Sequence, residues 1–295
     1  MNSISRRSVL TGGLAITALT VAHPLSADAR PAPDVVGYLL ETERRHQARI
    51  GLYALDLKTH KTIAHRNHER FAMCSSVKTY VAARVLQKAE RGELALTDSV
   101  VVHGADIVSN SPVTETWVGR SIPVADLCAA ALQKSDNAAT NYLLKAVGSP
   151  PAITEFARSI GDNETRLDRW ETELNSAIPG DVRDTSTPQA LGDGNRALLE
   201  GTALTLESRR QLIEWMVANT TSSLRPGMPP EWILADKTGG GGYGSTNDVG
   251  LGFGPGGQQV VLSVMMRSAT DNPNADGFRP VMAEIAAVVM SALAG

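Results

Sequence analysis

Apolar and polar positions follow two different periods along this chain, and the change from one to the other divides it. Arg49 to Leu57 (RIGLYALDL) is apolar and rich in strand-forming residues. The polar turn Lys58-Thr59-His60-Lys61 follows, then TIAHR, which together predict a hairpin. From Ser76 to about Asn219 the period becomes helical. VADLCAAALQ has a proline at its first turn, and Thr187-Pro188 reads as N-cap and first helical residue before QALGDGNRALLEG. LESRRQLIEWMVAN places Leu212, Trp215, Met216 and Asn219 at helical spacing. Past Pro230 the strand pattern returns in WILADKTG, STNDVGLGFG and QQVVLSVMMRSA, joined by Gly-rich turns. FRPVMAEIAAVVMSALAG closes the chain as a helix.

Strands at both ends with helices between them predict an α+β fold. An antiparallel β-sheet built from both chain ends is flanked by helices from residues 31–47 and 278–294, and an all-α domain is inserted in the middle. The expected division is an α/β domain from 30–73 and 218–295 and an all-α domain from 74–217. Residues 1–29 have the make-up of an export signal instead. Arg6 and Arg7 precede an uncharged apolar run from Leu10 to Ala22, and Ala27-Asp28-Ala29 is a small-x-small cleavage site. The paired arginines with Val9-Leu10 behind them match the twin-arginine type. The run is shorter than the ~20 apolar residues that span a bilayer. The expected product is therefore cleaved, exported to a periplasm or secreted, and free of stable membrane association.

Charge and composition narrow the function classes. Removing Arg6, Arg7 and Asp28 from 28 basic and 31 acidic residues leaves 26 against 30. No basic block or aromatic-interleaved patch remains, which argues against nucleic acid as a partner. Two cysteines, Cys74 and Cys128, make no disulfide framework. His60, His65 and His68 cluster without a Cys or carboxylate at ligand spacing, so no metal site is expected there.

Four short motifs carry the chemistry. Ser75 and Lys78 lie one helical turn apart in CSSVKTY, although a serine there also reads as a helix N-cap. Ser135-Asp136-Asn137 stands between two predicted helices. Glu171 and Asn175 lie in the irregular stretch RWETELNSAIPGDVRD, and Lys237-Thr238-Gly239 ends a predicted strand. Each has an ordinary local explanation, but the first, second and fourth in this order are the signature of β-lactam-reactive acyl transferases.

From roughly Arg30 to its end the chain resembles the class A serine β-lactamases. FAMCSSVKTY, SPVTE, SDNAATNYLL, RLDRWETELNSAIPGDVRDT and ADKTG match that pattern in order and spacing. The resemblance implies hydrolysis of penicillins and cephalosporins by a monomer without a cofactor. Ser75 would be the nucleophile, with its own N–H and that of Gly240 as the oxyanion hole. Either Lys78 or Glu171 would take the serine proton, and Glu171, held near Asn175, would activate the deacylating water. Ser135 would relay a proton to the leaving nitrogen and Asn137 would bind the substrate's side-chain amide. Lys237 and Thr238 would hold the substrate carboxylate, and Gly239 would also line the substrate-binding edge. The resemblance also implies an Ω loop from Arg169 to Asp184 pinned by a largely buried ion pair between those two residues, and a cis peptide at Glu171–Thr172.

Some positions depart from the family pattern. The carbapenemase branch pairs the cysteine before the nucleophile with one two residues after Lys-Thr-Gly, where this chain has Gly241. The partner position of Cys128 is Ala82, so both thiols are expected to be free. Asn110 replaces an entrance aromatic. Thr246 and Ser223 stand where many members carry an arginine, and Arg279 is the candidate substitute for that charge. The rival readings are a DD-peptidase or penicillin-binding protein, and a non-hydrolysing β-lactam sensor. The pair Glu171 and Asn175 argues against both.

Overall fold

The computed structural model describes residues 34–294. The export segment expected over residues 1–29 lies outside the described residues, and among these no helix is long and apolar enough to cross a membrane. The first helix, α1 (Val35–His46), is capped by Asp34, whose carboxylate accepts from the Gly37 N–H. Arg44, Arg45 and His46 fill its last turn, where the helix dipole favours positive charge. Gln47, in the left-handed conformation at φ 47°, turns the chain directly into β1 (Ala48–Asp56). The Asp56 carboxylate accepts from the N–H groups of Lys58 and Thr59, closing the hairpin to β2 (Thr62–His65).

A two-residue strand β3 (Phe71–Ala72) and a tight turn at Cys74–Val77 lead into α2 (Lys78–Glu90). The small ladder of β4 (Ser99–Val101) and β5 (Ser121–Pro123) precedes α3 (Val124–Gln133), α4 (Asn137–Val147) and α5 (Pro150–Ser159). A long loop then reaches β6 (Thr185–Ser186), which pairs with β3. The helical stretch closes with α6 (Pro188–Leu199), capped by Thr187 on the Ala190 N–H, and α7 (Leu206–Val217). The remaining strands are β7 (Ile233–Gly240), β8 (Thr246–Phe253) and β9 (Gln259–Ser268), and α8 (Arg279–Ala294) is the last element of the described residues.

The main sheet runs β2-β1-β9-β8-β7, antiparallel throughout, so β9 joins the first hairpin to the last. The α+β class with a sheet made from both chain ends is what the change of period predicts. Alternation then sorts the two faces. Ile50, Leu262 and Val264 pack with Leu39 of α1 and Ile285 and Val289 of α8. Tyr53, Val261 and Met265 face the other way, into the core shared with α2 and α6. Truncating a fully buried leucine such as Leu39 costs ~2–5 kcal/mol.

Two expectations shift. The helical stretch contains the β4–β5 ladder and β6, which pairs back to β3 ahead of the stretch, and strands of two or three residues are too short to show a period of two. Asn219 lies beyond α7, not on its buried face: its amide donates to the Asp236 carbonyl and carboxylate, and its carbonyl accepts from Arg225.

Candidate active site

Ser75 sits inside the Cys74–Val77 turn, whose φ at Cys74 is 48°. It is not a helix cap, because Val77 precedes α2 and offers no side-chain hydrogen bond. Asn247 of β8 fixes the turn from below, donating to the carbonyls of Ala72 and Met73 at 2.8 Å each. Gly239 makes the close approach of β7 possible: a Cβ there would lie 2.4 Å from the Met73 carbonyl oxygen. The end of β7, with Gly240, is thus brought against the turn that carries Ser75.

Lys78, one turn along, is fully buried. Its Nζ lies 2.6 Å from Asn137 Oδ1, 2.9 Å from the Ser135 carbonyl, 3.4 Å from Ser135 Oγ and 3.0 Å from Glu171 Oε1. Ser135 occupies the left-handed region at φ 57°. Its Oγ also accepts from Lys237 Nζ at 3.2 Å, so it stands between two lysines. Asp136 secures this corner. It caps α4 on the Ala139 N–H, and its other oxygen accepts from the N–H groups of Val113 and Thr114. Asn110 contributes from the entrance, donating its amide to the Ser135 carbonyl.

Glu171 arrives on the loop from Arg169 to Asp184. Its Oε1 accepts a long hydrogen bond of 3.4 Å from Ser75 Oγ, and its Oε2 accepts from Asn175 Nδ2. Asn175 Oδ1 is buried and has no protein partner. The Glu171–Thr172 peptide is cis, as the resemblance implies. Asn141 of α4 clamps the main chain of Glu171 on both sides, accepting from its N–H at 3.0 Å and donating to its carbonyl at 2.8 Å. The ion pair of Arg169 and Asp184 closes the loop, with side chains only 19% and 1% exposed. Asp184 Oδ1 adds bonds from the N–H groups of Asp168 and Arg169.

Across the cleft, Lys237 is fully buried and donates to the Thr238 carbonyl at 2.8 Å. Thr238 Oγ1 lies 2.6 Å from Thr221 Oγ1. Behind this pair, Asp248 accepts from the N–H groups of Ser223 and Leu224 and so holds the segment after α7 to the sheet. Arg279 opens α8 and is exposed. Its neighbour Phe278 donates its N–H to Thr246 Oγ1, and Thr246 pairs with Gly240.

Burial dominates the electrostatics. It pushes the Lys78 ammonium below its ordinary range, against the pull of Glu171. It pushes Lys237 down to about 7, helped by the like charge of Lys78 and opposed by Asp248, Asp236 and Glu171. The Asp248 carboxyl is raised well above its usual range by burial and then by Asp236. Cys74 and Cys128 are free and buried, and burial raises both thiols. A Cβ at Gly241 would lie 2.7 Å from Cys74 Sγ, so the position beside the thiol is filled by backbone alone. Among the described residues no cluster of His, Cys, Asp and Glu could hold a metal.

The structure thus gathers Ser75, Lys78, Ser135, Asn137, Glu171, Asn175, Lys237 and Thr238 around one cleft, with Gly239 and Gly240 along its edge. Sequence reasoning missed Asn141 and Thr221. Asn141 had a signal, lying one helical turn beyond Asn137 on α4; Thr221 had none.

Comparison with known proteins agrees with this arrangement. The model of the beta-lactamase enzyme family matches residues 37–293. A β-lactamase of Streptomyces lavendulae is 43% identical over 98% of this chain and 97% of its own length. The carbapenem-hydrolyzing β-lactamase KPC of Klebsiella oxytoca is 40% identical, covering 99% of this chain and 98% of that one. The solved structure of the class A β-lactamase of the last common ancestor of Gram-negative bacteria superposes with a TM-score of 0.85 at 43% identity, over 88% of this chain and 100% of that one. The chain belongs to the β-lactamase enzyme family. Its fold and relatives make it a class A serine β-lactamase, a hydrolase acting on β-lactams.

Proposed function

We propose that the protein hydrolyses penicillins and cephalosporins through an acyl-enzyme on Ser75. The observation that carries this reading is the contact of Ser75 Oγ with a carboxylate, Glu171, that also bonds Lys78 and Asn175. Lys78 and Glu171 act as one proton-sharing unit. As Ser75 Oγ attacks the lactam carbonyl, its proton passes to that unit, and the N–H groups of Ser75 and Gly240 stabilise the oxyanion. A donor of that kind typically contributes ~3–4 kcal/mol in the transition state. The C–N bond then breaks, and Ser135 passes a proton to the leaving nitrogen.

Water attacks the resulting ester. Glu171 takes one of its protons, while Asn175 Oδ1, an acceptor with no protein partner, suits the other. The ester bond breaks and Ser75 recovers its proton. Asn137 orients the substrate's side-chain amide. Lys237, Thr238 and Gly239 hold its carboxylate, with Arg279 supplying long-range charge in place of an arginine at Thr246 or Ser223. The cleft follows the seam between the α/β part (30–73 and 218–295) and the all-α part (74–217). The working form is an exported, cleaved monomer without stable membrane association, periplasmic or secreted. Carbapenem hydrolysis is left to the relative whose name records it, since Cys74 has no cysteine partner at Gly241.

A steady-state assay with benzylpenicillin and a cephalosporin tests this. Ring opening of both is expected, and Ser75→Ala should abolish both. Turnover of neither by the unmodified protein would refute the substrate class.

A further inference from the structure

The loop that carries Glu171 does not lie flat on the body of the protein. Beneath its outer end is a cavity of about 180 Å³, walled by loop residues Ala177 to Arg183 on one side and by Phe71, Ala72 and Arg267 on the other. Three arginines line it, Arg70, Arg183 and Arg267, against one acidic residue, Asp181. Two of the three are matched. Arg70 pairs with Glu164, and Arg183 pairs with Asp181 at 2.8 Å.

Arg267 differs. It projects from β9 and is partly buried, and its hydrogen bond is from Nη1 to the Ser268 carbonyl at 2.8 Å. No carboxylate lies within ion-pair distance of it among the described residues. Its partner across the sheet is another arginine, Arg49, whose own charge is taken up by Glu69. A guanidinium removed from bulk water without an anionic partner is costly. It also presents a planar fork of donors that fits a tetrahedral oxyanion on two points. The cavity has room for such an ion, with Arg267 on the sheet side and, on the loop side, Arg183, whose Nε and Nη2 bond Asp181 and leave Nη1 to donate.

We propose that this cavity binds a compact inorganic oxyanion of the phosphate or sulfate kind, held by Arg267 and Arg183, which ties the outer end of the Glu171 loop to the sheet. The site is separate from the reaction cleft and does not depend on the assignment of catalytic roles.

The test is a titration of the folded protein with inorganic phosphate at constant ionic strength, set with a bulky gluconate salt. It is read by phosphorus-31 line broadening and by the thermal midpoint. Saturable broadening and a rising midpoint are expected, both lost in Arg267→Gln. Arg267→Lys, which keeps the charge but not the fork, should bind at least about tenfold more weakly. Should Arg267→Gln fail to fold in gluconate alone, Arg183→Gln at the exposed mouth carries the same expectation of weakened binding. No response from the unmodified protein would mean the cavity holds only water. An equal response from Arg267→Gln would place the anion elsewhere. Either result overturns the proposal.

Discussion

The two halves of the cleft are built in different ways. Ser75, Lys78 and Ser135 sit on a turn, a helix start and a helix junction, each tied directly to a strand or helix: Asn247 of β8 holds the turn at Ser75, and Asp136 caps α4 beside Ser135. Glu171 and Asn175 sit on a loop with only a single turn of helix, Glu173–Asn175, between Arg169 and Asp184. Side-chain bonds do the work of a ladder there: the two-sided clamp from Asn141, the Asn175 contact and the Arg169–Asp184 pair. The half to which we assign acylation is therefore anchored to the ends of regular elements. The half to which we assign deacylation depends on a few polar contacts within and onto a loop, each of which a single substitution can remove. Perturbing the body should slow formation of the acyl-enzyme, and perturbing the loop contacts should slow its breakdown.

The largest break in that pattern is Lys78→Ala. It removes Lys78 Nζ from the proton-sharing unit proposed above and should lower the acylation rate ~10²–10⁴-fold, measured by stopped-flow with benzylpenicillin. Asp184→Ala comes next. It leaves Arg169 partly buried without its main partner and should cost about 3 kcal/mol of stability, read from the urea midpoint. Deacylation should suffer more than acylation in that variant.

Asn141→Ala sharpens the comparison, because Asn141 touches Glu171 only through its main chain. Losing two such bonds should slow deacylation roughly 10–100-fold in single-turnover experiments, with acylation within a few-fold of unmodified protein.

The smallest effect is one of pH. Lys237 is pushed down to about 7, so in the free protein it is charged below that pH and neutral above it. The hold on the substrate carboxylate that we assign to it should be present well below pH 7 and lost as pH rises through that value. KM for penicillins should therefore rise roughly tenfold or less between pH 6 and 8.5, since the uncharged amine keeps a neutral hydrogen bond worth about 0.5–1.5 kcal/mol and only the charge is lost. A KM that falls over this range would contradict the role given to Lys237.

Much of the molecule was legible in the chain because its signals are local. The order of strands and helices follows from hydrophobic period. Ser75 and Asp136 lie where elements begin, and Lys237 lies in the last half of β7, so their motifs fall at or near boundaries. The ion pair of Arg169 and Asp184 was legible through family resemblance. Contacts between segments distant in sequence were not. Asn141 acts on a residue thirty positions on, through backbone atoms that leave no mark in the sequence. Thr221 reaches Thr238 only because Asp248 and Asn219 draw the segment after α7 onto β7 and β8. That same draw took Asn219 off the helix face its spacing suggested. The unpaired Arg267 is invisible for a related reason: the chain does not say which of its arginines lack a carboxylate.

One measurement tests the division of labour most directly: intact mass against time after mixing with excess benzylpenicillin, for the unmodified protein and for Glu171→Ala. The unmodified protein should return quickly to its free mass, while Glu171→Ala accumulates an adduct of one drug molecule on Ser75. If the unmodified protein kept the adduct as long as Glu171→Ala does, Glu171 would not be the deacylating base, and the loop would have no part in breaking the ester.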